Sequence, residues 1–331
     1  MGKYDIIYVI CPAFVKTGGP ECLHQLVNSI NSQGGKSKIV YVKHGNLPIK
    51  INPQYEKYVN GFIDVDSIDC NNEKNLLIVP ETLVQYLLLF KNKPIKKGIW
   101  WLSVDFYRSL ASFKYQVNKD GFLKTIYHLR RTIGAKNSIK EAEYHYFQSY
   151  YAKDWLEKRG FNKDGLCYLT DYINDQYMEK HINEKRDNII IYNPKKGYDK
   201  IQYLRSMIKE YEWIPIENMD RDEIIGLMNK AKLYLDFGNH PGKDKMPREA
   251  AISGCCIITG REGSANFIED VNISNRYKFN DVRKDFDSIR SCISEVMLNY
   301  CILNKDFEEY RVSISKEKET FSKSVREYFV E

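Results

Sequence analysis

The sequence contains no Cys-x-x-Cys pair. Its eight cysteines (Cys11, Cys22, Cys70, Cys167, Cys255, Cys256, Cys292 and Cys301) share no metal-type spacing with its histidines. That argues against a disulfide frame or a zinc site, and thiols placed inside apolar runs read as reduced core residues of a cytosolic protein. Glycine (19) and proline (10) are sparse among 331 residues and no tract repeats, which excludes a disordered or low-complexity chain. Long hydrophobic runs are lacking too. The longest, Leu83 to Phe90, is about half of the roughly 20 residues a membrane helix needs. The apolar part of the opening segment, Tyr4 to Cys11, is too short for a signal peptide and reads as a first strand. No RNA- or DNA-binding motif accompanies the basic charge, so nucleic acid is not an expected partner.

What is present is the 43% apolar and 28% charged composition of a globular chain, long enough for two α/β domains. Tyrosine is abundant, with 25 residues. A ring with a polar tip suits carbohydrate or a membrane interface, and AT-rich codon usage accounts for the count equally well.

The most informative stretch runs from Leu233 to Glu269. A short apolar strand (Leu233 to Phe237) passes through a Gly/Asn/Pro/Lys loop into a helix near Pro247 to Ser253. A second strand (Cys255 to Thr259) ends on Gly260, Gly263 and Ser264, ahead of a helical start at Ala265. Such an order builds a parallel sheet with its loops at the carboxyl ends of the strands, where open α/β sheets bind ligands. Lys243, Lys245 and Arg248 on one side, and a Gly-Ser turn opening a helix on the other, suit an anionic ligand such as a phosphate.

Alternation recurs on both sides of this stretch. Tyr4 to Cys11, the turn with Gly18 and Gly19, a helix from Glu21 to Gly34 and the strand Ser37 to Val42 form the opening of a Rossmann-like domain. Strands are expected at Phe62 to Val65, Leu76 to Val79 and Gly98 to Val104, with Leu83 to Phe90 helical. Asp105, at the carboxyl end of the last of these strands, is the candidate catalytic residue, and capping the following helix is the other role open to it. The stretch 106–161 carries eleven Lys and Arg against five Asp and Glu, an excess equal to the chain's net charge of +6, with Tyr and Phe interleaved. Basic helices with aromatic anchors suit an anionic membrane surface, and a solvated basic face is the plainer reading. After Leu166 to Leu169, the polar residues 171–187 read as a linker. A second alternating unit then starts at Asn188 to Tyr192, with a loop holding Lys196 and Gly197, a helix from about Lys200, the strand Trp213 to Ile216 and a helix opening at Asp220 or Arg221. The spacing of Phe286, Ile289, Ile293, Val296, Met297 and Tyr300 predicts a terminal helical region.

In order, the loop with Lys196 and Gly197, the acidic helix start at Asp220 to Glu223 and the segment Pro247 to Asp270 resemble the nucleotide-sugar-binding domain of GT-B glycosyltransferases of the group 1, family four type. The resemblance covers 187–270 well, 1–43 fairly and 44–170 poorly. It implies two Rossmann-like domains facing across a cleft: an acceptor domain (1–170), the linker (171–187), a donor domain (188–303) and a C-terminal helix (304–331) packing back on the first. It implies sugar transfer from a nucleotide diphosphate donor to a saccharide or lipid-linked saccharide acceptor in surface polysaccharide synthesis. The enzyme would be of hexosyltransferase type, cytoplasmic or peripheral on the inner membrane face, with no cofactor and no metal. Glu249 falls where the family contacts the donor ribose, Lys196 where it neutralises the diphosphate, and Gly263, Ser264 and Ala265 where backbone amides meet phosphate. Lys243 and Arg248 are added from charge and proximity, and Gly18 and Gly19 from the first loop. One departure stands out: the family's Glu-x7-Glu pattern requires glutamate at 241, and this chain has Pro241, which leaves Asn239 or His240 as replacements. A nucleotide-sugar epimerase or hydrolase of the same fold and a non-catalytic adaptor are the rival functions. Asp64-Val65-Asp66 carries the DxD form of metal-dependent GT-A enzymes, a tripeptide that is common by chance.

Overall fold

Near-continuous apolar runs become the inner strands of two parallel sheets, as expected of sheets covered on both faces. The computed structural model describes residues 2–127, 129–161, 163–178 and 185–331. They divide into two units, Met1–Asp171 with Glu319–Glu331, and Tyr172–Lys318.

The first unit holds β1 (Ile7–Pro12), β2 (Ser37–Val42), β3 (Leu76–Pro80), β4 (Lys96–Trp101), β5 (Tyr144–Phe147) and β6 (Leu166–Tyr168). Their order is β2-β1-β3-β4-β5-β6, every pair parallel. The chain leaves β1 for β2 on one side while β3 flanks it on the other, so the strand order reverses at β1/β3 and opens a crevice beyond their carboxyl ends. Helix Gly18–Ser32 covers the sheet with Cys22, Leu23, Leu26, Val27 and Ile30, a helical period that buries one face. At the far end of the chain, Phe321 and Phe329 are buried in this unit. Phe321 stacks near Trp100, and Phe329 lies 5.1 Å from Tyr146 between ring centres.

The second unit holds β7 (Asp187–Tyr192), β8 (Glu212–Pro215), β9 (Ala231–Asp236) and β10 (Cys256–Thr259), in the order β10-β9-β7-β8, again all parallel. Its reversal lies at β7/β9, so the loops after β7 and β9 are neighbours. Asp220 caps helix Arg221–Lys230 in a full capping box with Glu223. Helix Phe286–Leu298 buries Ile289, Ile293, Val296 and Met297.

Several local expectations differ from what is observed. Phe62 to Val65 is no strand: Ile63 makes a single bridge to Val40. Leu83 to Phe90 lies within tight 3-10 turns over Glu81–Phe90, interrupted at Leu83. The basic stretch is not all helical, since it contains β5. Tyr172 to Met178 packs into the second unit through Ile173 and Tyr177, and 304–318 belongs to that unit while 319–331 belongs to the first. Residues 179–184 of the expected linker lie outside the described residues. Among the described residues, no helix is long and apolar enough to cross a membrane.

Candidate functional site

After β7, Asn193 folds the chain back by accepting the Lys195 amide on its side chain (3.0 Å). Gly197 then opens helix Tyr198–Met207 in the left-handed region, at φ +58°. A Cβ on Gly197 would stand 2.7 Å from the Phe237 carbonyl carbon, and one on Gly238 would stand 2.5 Å from the Lys196 Cβ. Only glycine at both positions lets the loops after β7 and β9 touch, and that contact sets Lys196 against the second loop.

The second loop is anchored at both ends. Asp236, buried at the end of β9, accepts the Gly238 amide (2.9 Å) and the Tyr234 hydroxyl (2.9 Å). The His240 backbone bridges to the glycine loop after β10: its amide donates to the Glu262 carbonyl (3.3 Å), and its carbonyl accepts from the Ser264 amide (2.9 Å). The His240 ring is wholly buried, with Nε2 3.4 Å from Asp236 and Nδ1 3.8 Å from Asp244. Neither nitrogen makes an aligned hydrogen bond, so both carboxylates act on the ring through their charge. Asp244 also holds the Lys196 ammonium.

Burial alone would strip the proton from His240, but the Asp236 and Asp244 carboxylates outweigh it and hold the imidazole above its ordinary range. Burial likewise pushes the Asp236 carboxyl up, yet the facing imidazolium, Lys196 and the Gly238 amide bring it down to about 2. Two carboxylates thus face two cations. Asp236, His240 and Asp244 are the one group of metal-capable side chains among the described residues, with ligand atoms within 4.8 Å of one another. The Lys196 ammonium faces the same group through Asp244.

Lys196, Asn239, His240, Gly263 and Ser264 therefore come together, with Glu249 half-buried on helix Lys245–Ile252. Four assigned residues are already engaged or buried. Arg248 is no ligand group: its side chain is fully buried, donating to Glu317 (2.7 Å), the Lys243 carbonyl (2.8 Å) and the Asp244 carbonyl (3.1 Å). Lys243 joins the same clamp, 2.9 Å from Glu317 with only 7% of its side chain exposed. The Ser264 amide is spent on His240 and its hydroxyl on the Gly242 carbonyl (2.6 Å), and Ala265 is buried, which leaves Gly263 as the half-buried member of that loop.

The remaining candidates lie in the first unit. Gly18 and Gly19 open its first helix, neither at positive φ. Asp105 does not cap its helix, because Ser103 does, accepting the Phe106 amide (3.3 Å). The Asp105 carboxylate instead takes the Tyr151 hydroxyl (2.9 Å) and Arg108 (3.0 Å), a lock between two helices more than a poised base. Sequence reading passed over Glu81. This carboxyl is buried at the end of β3 and pushed up to about 7 by burial, although it accepts the Leu102 amide (2.9 Å). It also passed over Asp236 and Asp244, which stand four residues on either side of His240.

No family model matches the sequence, and no curated protein matches it. Solved structures do. HepE from Anabaena, in complex with UDP and glucose, superposes with a TM-score of 0.66 at 10% identity, over 99% of both chains. WaaG, a glycosyltransferase involved in lipopolysaccharide biosynthesis, gives 0.57 at 12% identity, over 97% of this chain and 99% of that one. Sucrose-phosphate synthase from Thermosynechococcus elongatus gives 0.57 at 13% identity, over 98% and 95%. These neighbours are GT-B glycosyltransferases, and this chain has the GT-B fold.

Proposed function

We propose that this GT-B chain transfers a hexose from a nucleoside diphosphate donor to a saccharide or lipid-linked saccharide in surface polysaccharide synthesis. The observation that carries the reading is Lys196, set by the Gly197 and Gly238 contacts at the strand reversal of the second sheet, in a fold whose solved neighbours include complexes with UDP. An ammonium there stabilises the diphosphate leaving group as the sugar–phosphate bond breaks, which makes a metal unnecessary in this proposal. Glu249 is assigned to the ribose hydroxyls and Asn239 to the sugar side of the loop, where Pro241 replaces the family's glutamate.

Thermal shift against UDP, GDP, dTDP, ADP and CMP, with and without EDTA, tests this. One nucleoside diphosphate at 100 times its Kd should stabilise the protein by about 2.7 kcal/mol without metal. Lys196→Ala should remove most of that gain. No response to any nucleotide would favour an adaptor that kept the fold. Donor turnover without acceptor would favour the hydrolase or epimerase.

We also propose that 106–161 meets an anionic membrane. Phe106, Phe113, Tyr115, Phe122, Leu123, Ile126 and Ile133 are exposed beside the exposed Lys114, Lys124 and Lys136. Replacing Phe122 and Leu123 (58% and 84% exposed) by serine should weaken co-sedimentation with anionic vesicles about tenfold or more. Co-sedimentation that does not change with anionic lipid content would contradict the assignment.

A further inference from the structure

The cation assigned to the donor diphosphate already has a partner. Lys196 holds Asp244 through its ammonium, and the two side chains are 28% and 15% exposed, so the pair sits at an accessible edge. Asp244 precedes helix Lys245–Ile252 yet makes no side-chain cap with it, which leaves its carboxylate turned toward the loop after β7. Its main chain is fixed independently, because Arg248 grips the Lys243 and Asp244 carbonyls. The side chain can therefore change partner while the loop stays in place. On its inner side Asp244 faces the His240 ring, whose other nitrogen faces Asp236.

We propose that Asp244 occupies Lys196 in the unliganded protein in competition with the donor's diphosphate, yields it on binding, and then rests its own charge on the buried His240. The inference builds on the proposed donor site and adds how that site is kept and regulated when empty. Exchange of the Lys196 ammonium from carboxylate to diphosphate replaces one charge-assisted contact by another with a group of greater negative charge. The charged groups facing His240 are Asp236 from β9, which carries the Tyr234 hydroxyl, Asp244 from the helix start and Lys196 behind Asp244. The glycine loop contributes only the main chain of Glu262 and Ser264, while Arg248 and Lys243 are engaged by Glu317. Once Lys196 leaves, the imidazole feels both carboxylates undiluted and binds its proton more firmly. Donor binding should then draw a proton from solution where the pH reaches or exceeds the raised range in which His240 titrates, and little or none below it.

The test is calorimetric titration of the full chain with UDP and with inorganic pyrophosphate, in buffers of different ionisation enthalpy. Asp244→Asn should bind both about three- to tenfold more tightly than the wild type, the scale of a partly exposed ion pair. Most of that gain should vanish when Lys196→Ala is also present. Proton uptake by the wild type should exceed that of His240→Asn. If Asp244→Asn fails to fold, Asp244→Ser takes its place. Wild-type binding with unchanged or weaker affinity in the Asp244 variant overturns the inference alone. So does a gain of equal size in both lysine backgrounds, or equal proton uptake with and without His240. No binding of either ligand by the wild type overturns the donor site itself, and the exchange with it.

Discussion

Replacing Arg248 by alanine should destabilise the second unit by about 3–5 kcal/mol, the cost of removing one partner from a buried ion pair. The guanidinium is fully buried, and Glu317, Lys243 and Asp244 consume its donors. Its loss strands the Glu317 carboxylate with Lys243 alone and frees two carbonyls of the loop that carries Asp244. Lys243 still faces Glu317 at 2.9 Å, so Glu317→Gln in the same chain should deepen the loss, because it takes the carboxylate away from a buried lysine. Denaturant unfolding of the two variants measures both terms. The protein that remains folded should bind nucleotide less weakly than Lys196→Ala does, since Arg248 has no accessible surface to offer a ligand. A stable Arg248→Ala protein that has lost nucleotide binding would return Arg248 to the donor site.

Gly263→Ala should be comparably severe, costing about 3 kcal/mol or more. Gly263 lies at φ +64°, ψ −135°, a conformation that side chains adopt at a cost of about 1–3 kcal/mol. In addition, an added Cβ would stand 2.0 Å from the His240 carbonyl oxygen. That oxygen accepts the Ser264 amide, so relief of the clash breaks the seam between the loops after β9 and β10. Gly34→Ala is the matched control: φ is +90°, but nothing lies within 4 Å of the added carbon, and only the backbone cost of roughly 1 kcal/mol applies. Thermal melts of both variants separate strain from collision, and equal shifts would remove the collision argument.

The parts of the fold legible in the sequence were those whose physics is local. β1, β3, β7 and β10 are centred on Val, Ile and Leu and β9 on Leu and Tyr, and apolar residues recur at helical spacing in Gly18–Ser32. β5 escaped because Tyr144 and His145 alternate inside a charged neighbourhood. Its burial depends on Gly98, which gives Tyr146 room on the adjacent strand, where a Cβ would lie 2.7 Å from the ring. Lys196 was singled out through the resemblance of its loop to the family's, and its partner Asp244, 48 residues away, left no trace there. Arg248 was added from charge and proximity for the same lack of a local sign: its partner, Glu317, lies 69 residues away, and no local pattern marks a cation as already neutralised. Asp236 and Asp244 were passed over because a loop with charges four residues apart carries meaning only once it folds around a buried ring.

The most direct test of the donor site is a crystal structure of the full chain with UDP, or with whichever nucleoside diphosphate stabilises it most. The expected result is a phosphate oxygen within hydrogen-bond reach of Lys196 Nζ, beside Gly263, with Asp244 turned from Lys196 toward His240. A nucleotide bound elsewhere, or bound there with the Lys196 and Asp244 pair intact and the phosphates beyond its reach, would contradict it.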